Sequence, residues 1–213
     1  MRHLILIFTL ILIISSPAFA DSFEEGKAAY QKRDWFNAIR ILRPLAEQGD
    51  DRALVILGNM YNDGNGVKQD HMEALNHYKR AILKDNATAM TSIATMYAQG
   101  IGVERDFKKG YDFFVKAANL GNPAAQIMVA SIYIEGHPEL PDVKADPTRA
   151  YAMYRVVELN SDEPRFVRMA SELSKRLISM LDAEQVLEAE QMAKAWAPKT
   201  SITSDTPTTE GQE

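Results

Sequence analysis

The sequence predicts an all-α protein, a right-handed α-solenoid of about five helix–turn–helix repeats. One series of residues recurs at intervals of 36, 36, 40 and 36 positions: Asp34, Asp70, Asp106, Asp146 and Asp182. A second series keeps a step of 36 in the middle of the chain: Tyr61, Tyr97 and Tyr133, with Gly64, Gly100 and Gly136 three positions later. A period of this length is typical of stacked helical pairs, which mostly bind other molecules.

The first twenty residues have the pattern of a secretory signal peptide. Arg2 and His3 precede an apolar run over residues 4–14, and Ala18 and Ala20 supply a small-residue cleavage site. The run is shorter than the roughly 20 residues that a membrane-spanning helix needs. We therefore expect cleavage after Ala20, a periplasmic or secreted protein, and no stable membrane insertion after cleavage.

The composition is that of an ordinary globular chain, with 46% apolar and 25% charged residues and a net charge of -5. This mild acidity argues against a nucleic-acid partner, because nucleic-acid binding needs clustered Lys and Arg. The chain has no cysteine. A disulfide framework, a cysteine nucleophile and a thiolate metal site are therefore excluded.

Apolar and small residues within one repeat follow the spacing of amphipathic helices. Ala53, Leu57 and Tyr61 lie four positions apart, and Ala74 and Tyr78 repeat that spacing after the turn. Helices of about a dozen residues are marginal alone in water, so their stability must come from packing against neighbours. The recurring alanines are expected to allow close helix contacts.

A glycine turn and an aspartate cap separate the two helices of each predicted pair. Gly64 and Gly66 can adopt positive φ, and the valine that follows can pack back into the turn. The recurring aspartates are expected to accept hydrogen bonds from free N–H groups in the first turn of the second helix. Asp182 and Gln185 have the spacing of a capping box.

Two successive segments share an extended pattern of residue types: Ala53, Leu57, Gly58, Met60, Tyr61, Gly64, Gly66, Val67 and Asp70, then Ala89, Ile93, Ala94, Met96, Tyr97, Gly100, Gly102, Val103 and Asp106. This pattern resembles the Sel-one-like repeat (SLR), a relative of the tetratricopeptide repeat (TPR). The resemblance covers about residues 22–160. The fourth repeat departs from it, because it has four extra residues between Gly136 and Asp146 and lacks the second turn glycine.

The predicted organisation is one solenoid domain with a leader and a tail. The signal peptide covers residues 1–20, and the SLR solenoid covers residues 21–197, with repeats near 21–50, 51–86, 87–122, 123–162 and 163–197. Residues 198–213 are rich in Thr and Ser and are expected to be disordered.

No catalytic, cofactor-binding or metal-binding residues are predicted. His71 and His77 are six positions apart, the wrong spacing for two metal ligands on one helix face. Glu73 and His77 are interpreted as a surface pair at i, i+4 rather than as an acid–base couple.

The candidate binding surface is the side of the first helices that the core does not use. The resemblance to tetratricopeptide proteins implies that these helices line a concave face. Polar members of the face would bond to an extended peptide, and Val55 and Ile127 would add apolar contacts. The candidate peptide-binding residues are Val55, Asn59, Asp63, Thr91, Thr95, Gln99, Ile127, Ser131 and Glu135. A solvated polar stripe without a specific partner is the alternative, and the loop from Gly136 to Asp146 is a second candidate contact.

The sequence therefore favours a non-enzymatic adaptor or scaffold that holds a protein or peptide. Such an adaptor would regulate an envelope sensor or cell-wall machinery. Two alternatives stay open. One is a hydrolase-like protein that binds cell-wall fragments or β-lactams, as the resemblance to cysteine-rich relatives implies, and the absence of cysteine weakens it. The other is a secreted factor that interacts with a host.

Overall fold

The structure, a computed structural model, describes residues 17–198, with side chains from Ser22 onward. The apolar run of the predicted signal peptide and the tail from residue 199 lie outside the described residues. All regular secondary structure between residues 17 and 198 is helical, as predicted. The helices are α1 Pro17–Gln31, α2 Trp35–Glu47, α3 Asp51–Asp63, α4 His71–Ala81, α5 Ala87–Gln99, α6 Phe107–Asn119, α7 Pro123–Glu135, α8 Pro147–Asn160, α9 Pro164–Leu177 and α10 Ala183–Ala195.

Helix contacts are local along the chain, as expected of a repeat protein. The chain divides into two compact units between His77 and Tyr78. In the first unit α2 packs against both α1 and α3. In the second unit α5 packs on α6, α6 on α7, α7 on α8, and α8 on both α9 and α10. Short 3₁₀ turns at Ile82–Lys84 and Ile178–Met180 follow α4 and α9.

Each unit has its own apolar core. In the first unit, Leu42, Leu54 and Met60 are almost completely buried. The second unit contains two successive core clusters. One is formed by α5, α6 and α7, with Met90 and Phe114 among its members. The other is formed mainly by α7, α8, α9 and α10: Ile127, Ala130, Ala150, Tyr151, Ala152, Tyr154, Val157, Ala170, Leu177 and Ala189.

The five recurring aspartates cap their helices, which confirms that prediction. The backbone N–H groups that they accept are those of Asn37, Glu73, Lys109, Arg149 and Gln185, three positions after each cap. Asp182 and Gln185 also form the predicted reciprocal capping box, because the Asp182 N–H donates to the Gln185 side chain at 3.0 Å. Such caps each contribute about 1 kcal/mol.

A second series of caps was missed in the sequence. Asp50, Asn86 and Asn122 are also 36 positions apart, and each caps the first helix of a pair. Their side-chain oxygens accept hydrogen bonds from the N–H groups of the recurring alanines Ala53, Ala89 and Ala125 at 2.9–3.1 Å. Asparagine replaces aspartate at two of the three positions, which hides the series from a search for one residue type.

The turn between paired helices is closed by one recurring hydrogen bond. The backbone N–H of the cap aspartate donates to the carbonyl of the recurring tyrosine, at 2.9 Å for Asp70 and Tyr61 and 2.8 Å for Asp106 and Tyr97. Gly64 and Gly100 end the first helices with φ of 71° and 72°, as predicted. The same bond forms in the fourth repeat at 2.7 Å, so its four extra residues leave the junction of the pair unchanged.

Gly110 allows the closest approach between α5 and α6. A Cβ atom at this position would lie 2.8 Å from the carbonyl oxygen of Ala94 and 2.9 Å from the backbone nitrogen of Ala98. Both distances are too short for non-bonded atoms. Alanine occupies the equivalent positions 74 and 150, and both alanines are completely buried.

We expect Gly110→Ala to lower the free energy of unfolding by about 1–3 kcal/mol, because the added methyl group meets backbone atoms that cannot rotate away. This loss opposes the ~1 kcal/mol that alanine gains over glycine in helix propensity. Chemical denaturation measures both effects. Gly26→Ala is the comparison, because there the new Cβ would meet side-chain atoms of Leu42 and Ile41 rather than backbone atoms. A smaller loss at Gly110 than at Gly26 would contradict this account.

Candidate functional site

The polar row predicted to face a peptide already makes hydrogen bonds inside the protein. The hydroxyl of Thr95 donates to the carbonyl of Thr91 at 3.0 Å, and the hydroxyl of Ser131 donates to the carbonyl of Ile127 at 2.9 Å. The side chain of Asn59 is hydrogen-bonded to the hydroxyl of Tyr30. Donors that were expected to meet a partner are therefore committed to the fold.

Ser131 also supports a buried tyrosine. Its oxygen lies 3.1 Å from the hydroxyl of Tyr154, whose side chain is completely buried. Because the Ser131 hydroxyl donates to its own helix, the Tyr154 hydroxyl is the donor in this contact. Burial raises the pKa of Tyr154, so the phenol stays protonated and able to donate. The structure thus gives Ser131 a structural role that its position in the row did not indicate.

Val55 and Ile127 are core residues. Each is only 7% exposed, and Ile127 packs in the same cluster as Ala150 and Tyr154. Little of either side chain reaches the surface, so both are poorer candidates for apolar contact with a partner than their sequence positions suggested. Thr91, their equivalent in the middle repeat, is half-buried and donates its hydroxyl to the carbonyl of Ala87 at 2.9 Å.

Four of the nine candidate residues are exposed: Asp63, Gln99, Ser131 and Glu135. Asp63, Gln99 and Glu135 are the last residues of α3, α5 and α7, so each lies immediately before the turn glycine. Their side chains extend from helix ends, where an added partner would meet them without disturbing the core. The Asp63 carboxylate accepts a hydrogen bond from the Asn62 side chain at 2.8 Å. Gln99 and Glu135, which both belong to the second unit, are therefore the better candidates for contact with a partner.

The recurring tyrosines are half-buried, and their rings contact aromatic or cationic side chains. Tyr61 stacks on His77, and Tyr97 stacks on Phe113. The ammonium group of Lys109 lies 4.1 Å from the centre of the Tyr97 ring, and a hydrogen bond with Tyr97 raises the pKa of Lys109.

The predicted surface pair of Glu73 and His77 needs a correction. Their side-chain atoms Oε1 and Nε2 are 3.6 Å apart, but His77 is buried. Its ring is covered because it stacks on Tyr61, a contact that helix spacing did not reveal.

The first half of the longer loop in the fourth repeat is held to the helices by His137, Glu139 and Leu140. Leu140 is buried in the core cluster of α5, α6 and α7. The ring of His137 stacks on Phe107 at 3.8 Å between centroids, and Glu139 forms two hydrogen bonds with Arg105 at 3.0 and 2.6 Å. Those bonds hold the pKa of the Glu139 carboxyl below its usual range.

A polar cluster that the sequence did not reveal joins the last three helices. Arg155 of α8 donates to Glu190 of α10 at 2.6 Å and pairs with Glu158 one turn later on its own helix. Ser174 of α9 donates to Glu158 at 2.6 Å. Arg155 thus joins α8 to α10, and Glu158 joins α8 to α9.

Two cavities open in the second unit, and Arg149 lines both. The larger has a volume of about 500 Å³ and lies along residues 142–149, with Tyr133 and Gln185 opposite. The smaller has a volume of about 170 Å³ and lies among α6, α7, α8 and α10. Its lining residues are Ala118, Asn119, Gln126, Arg149, Ala152, Met153, Val156, Met192 and Trp196.

Residues 17–198 contain no cluster of three or more His, Asp or Glu side chains arranged to hold a metal ion. Within the same part of the chain, none of the helices combines the length and the apolar character that crossing a bilayer requires.

The ten helices and the glycine–aspartate turn define a helical repeat protein. Residues 51–86, 87–122 and 123–155 each match the Sel1 repeat. The chain is therefore a Sel1 repeat protein, as the resemblance in its sequence implied.

Two solved structures are similar to this fold. One is a protective antigen present in uropathogenic Escherichia coli strains that displays an SLR fold, with a TM-score of 0.52 and 22% identity over 84% of this chain and 45% of that one. The other is a Sel1 repeat protein from Oxalobacter formigenes, with a TM-score of 0.52 and 25% identity over 63% of this chain and 98% of that one. This chain spans less than half of the antigen's length. No curated protein matches it.

These likenesses confirm the predicted all-α solenoid class. Sel1 repeats generally mediate protein interactions, and proteins built from them are typically non-enzymatic scaffolds. The family therefore suggests a protein-interaction scaffold for this chain, while the right-handedness of the solenoid and the nine candidate contact residues stay predictions.

We expect Ser131→Ala to destabilise the protein by about 1–3 kcal/mol, because the buried Tyr154 hydroxyl loses its acceptor. Ser92→Ala is the matched control, since the Ser92 hydroxyl likewise donates to the carbonyl four residues earlier, at 3.2 Å. Thermal or chemical denaturation measures the difference. Equal effects of the two changes would remove the structural role given to Ser131.

Proposed function

We propose that this chain is an exported, non-enzymatic adaptor that holds a protein or peptide partner in the bacterial periplasm. The observation that carries the proposal is the run of three Sel1 repeats from residue 51 to residue 155. Repeat architectures of this kind present extended surfaces formed by equivalent positions of successive units. A partner that is itself extended can contact several such positions at once.

The proposal assigns the first contacts to the exposed helix-end row of Gln99 and Glu135 in the second unit. The hydroxyl groups of Thr91, Thr95 and Ser131 are poorer candidates, because each donates to the carbonyl four residues earlier. Exposed charged and polar ends lose less on binding, since no internal hydrogen bond has to break. They also favour a partner with complementary cationic or hydrogen-bonding groups.

Export is proposed from the leader pattern of residues 1–20 and the small-residue site at Ala18 and Ala20. The absence of cysteine in the chain is compatible with an oxidising compartment, where free thiols would be reactive.

The export proposal predicts that protein recovered from a periplasmic or culture fraction begins at Asp21. N-terminal sequencing or intact-mass measurement checks this. Ala20→Leu should keep the leader attached, because the cleavage site needs a small residue at that position. Full-length wild-type protein beginning at Met1 and confined to the cytoplasm would end the export proposal.

The adaptor proposal predicts that the double variant Gln99→Lys, Glu135→Lys loses partner capture by about tenfold or more, because two charge changes at one interface usually cost a few kcal/mol. The measurement is recovery of a stoichiometric partner by the tagged protein after mild cross-linking of intact cells. Both residues are exposed, so the melting temperature should change little.

The matched control is the double variant Glu172→Lys, Gln191→Lys, which makes the same change in net charge at exposed positions of α9 and α10. Capture should survive in this variant. If the two double variants lose capture equally, charge alone explains the effect and the helix-end row is not the contact. If wild-type protein captures no stoichiometric partner, the adaptor proposal itself fails.

A further inference from the structure

We propose that Arg149 and the apolar cavity beside it bind the end of a peptide, namely the free α-carboxylate of a chain whose last side chain is apolar. The inference rests on the proposed adaptor function and names the chemical class of its partner. It places that contact on α6, α7, α8 and α10 of the second unit, on residues other than Gln99 and Glu135.

The guanidinium group of Arg149 is held in place but has no anionic partner. It lies 4.7 Å from the centre of the Tyr133 ring, and none of the ion pairs among the described residues includes it. The carboxylate of Asp146, the nearest acid in sequence, accepts from the Arg149 backbone N–H as a helix cap. An arginine that is oriented by an aromatic face keeps its donors available for bidentate bonds to a carboxylate.

Three other arginines of this unit are paired with acids. Arg105 pairs with Glu139, Arg155 with Glu158 and Glu190, and Arg165 with Glu163. Arg149 therefore stands out as an exposed cation that is positioned by a ring and left without a counter-charge at a cavity.

The smaller cavity beside Arg149 suits one apolar side chain. Its walls include Met153, Val156, Met192 and Trp196, and Arg149 is the only charged residue among those that line it. The volume of about 170 Å³ is well below the roughly 300–1,000 Å³ of pockets for drug-sized ligands. A single aliphatic or aromatic side chain, with a carboxylate directly attached to its backbone, matches both the size and the charge.

Two further features fit a peptide rather than a free fatty acid or an inorganic anion. The half-buried side chain of Asn119 lines the cavity and can bond to a peptide backbone. The larger cavity, which shares Arg149, offers about 500 Å³ along residues 142–148 for the residues that precede the last one. Its lining includes Asp142, Lys144, Asp146 and Gln185, whose polar groups can form hydrogen bonds with a peptide main chain.

The direct test is titration of the protein with N-acetyl-Gly-Ala-Leu bearing a free carboxylate, followed by NMR or calorimetry. Saturable binding is expected. The C-terminal amide of the same peptide should bind about tenfold more weakly, because it lacks the charge that Arg149 recognises. N-acetyl-Gly-Ala-Gly should also bind about tenfold more weakly, since it leaves the apolar cavity empty.

Arg149→Gln should weaken binding of the free acid by about tenfold and abolish the difference between acid and amide. Arg168→Gln is the matched control, an exposed arginine of α9 that lines neither cavity. Because Arg149 is exposed, its variant should keep the wild-type melting temperature. Equal binding of acid and amide by the wild type, or unchanged binding by Arg149→Gln, would overturn the inference.

The outcomes separate this site from the adaptor function. If the wild type captures a partner in cells and Arg149→Gln captures it equally well, the adaptor stands and the peptide-end site is refuted as the partner's contact. If the wild type binds the free-acid peptide but captures no partner, the site stands and the adaptor function fails.

Discussion

Close approach of paired helices is the constraint on which the rest of this structure depends. At Gly110 the backbones of α5 and α6 come so near that even one methyl group has no space. Alanines at positions 74 and 150 serve the same purpose in their repeats. In three repeats, the hydrogen bond from the cap aspartate (Asp70, Asp106 or Asp146) to the carbonyl of the recurring tyrosine then sets the distance between the end of one helix and the start of the next. Once these contacts are made, the large apolar residues can fill the core without voids.

Few polar groups on the first helices of the pairs remain available to bond with a partner. Hydroxyl groups at Thr91, Thr95 and Ser131 return hydrogen bonds to their own helices, and Ser131 also receives the buried phenol of Tyr154. Short polar side chains in helix interiors commonly do this, because the carbonyl one turn earlier is always within reach. We therefore propose that recognition depends on longer side chains at helix ends and on cations held against aromatic rings.

The candidate features for recognition lie where the repeat departs from its own pattern. The fourth repeat has a longer loop, which Leu140 anchors in the core and Glu139 ties to Arg105. The cation over the recurring tyrosine changes from Lys109 to Arg149 at the same point. Beyond it, the cluster around Arg155 and Glu158 joins α8, α9 and α10. The regular repeats form the helical scaffold, and the irregular fourth repeat gives one part of its surface residues that the other repeats lack.

The helical pairs, their turns and the aspartate caps could be predicted from the residue order, because each depends on groups within a few positions of one another. The caps at Asn86 and Asn122 were available to the same reasoning and were missed because the residue type changes. Burial of Val55 and Ile127 could not be predicted, since helix periodicity tells which residues share a face but not what covers that face. The residues that surround Arg149 could not be predicted from the sequence either. They extend from position 118 to position 196, and such distances along the chain are closed only when the helices pack.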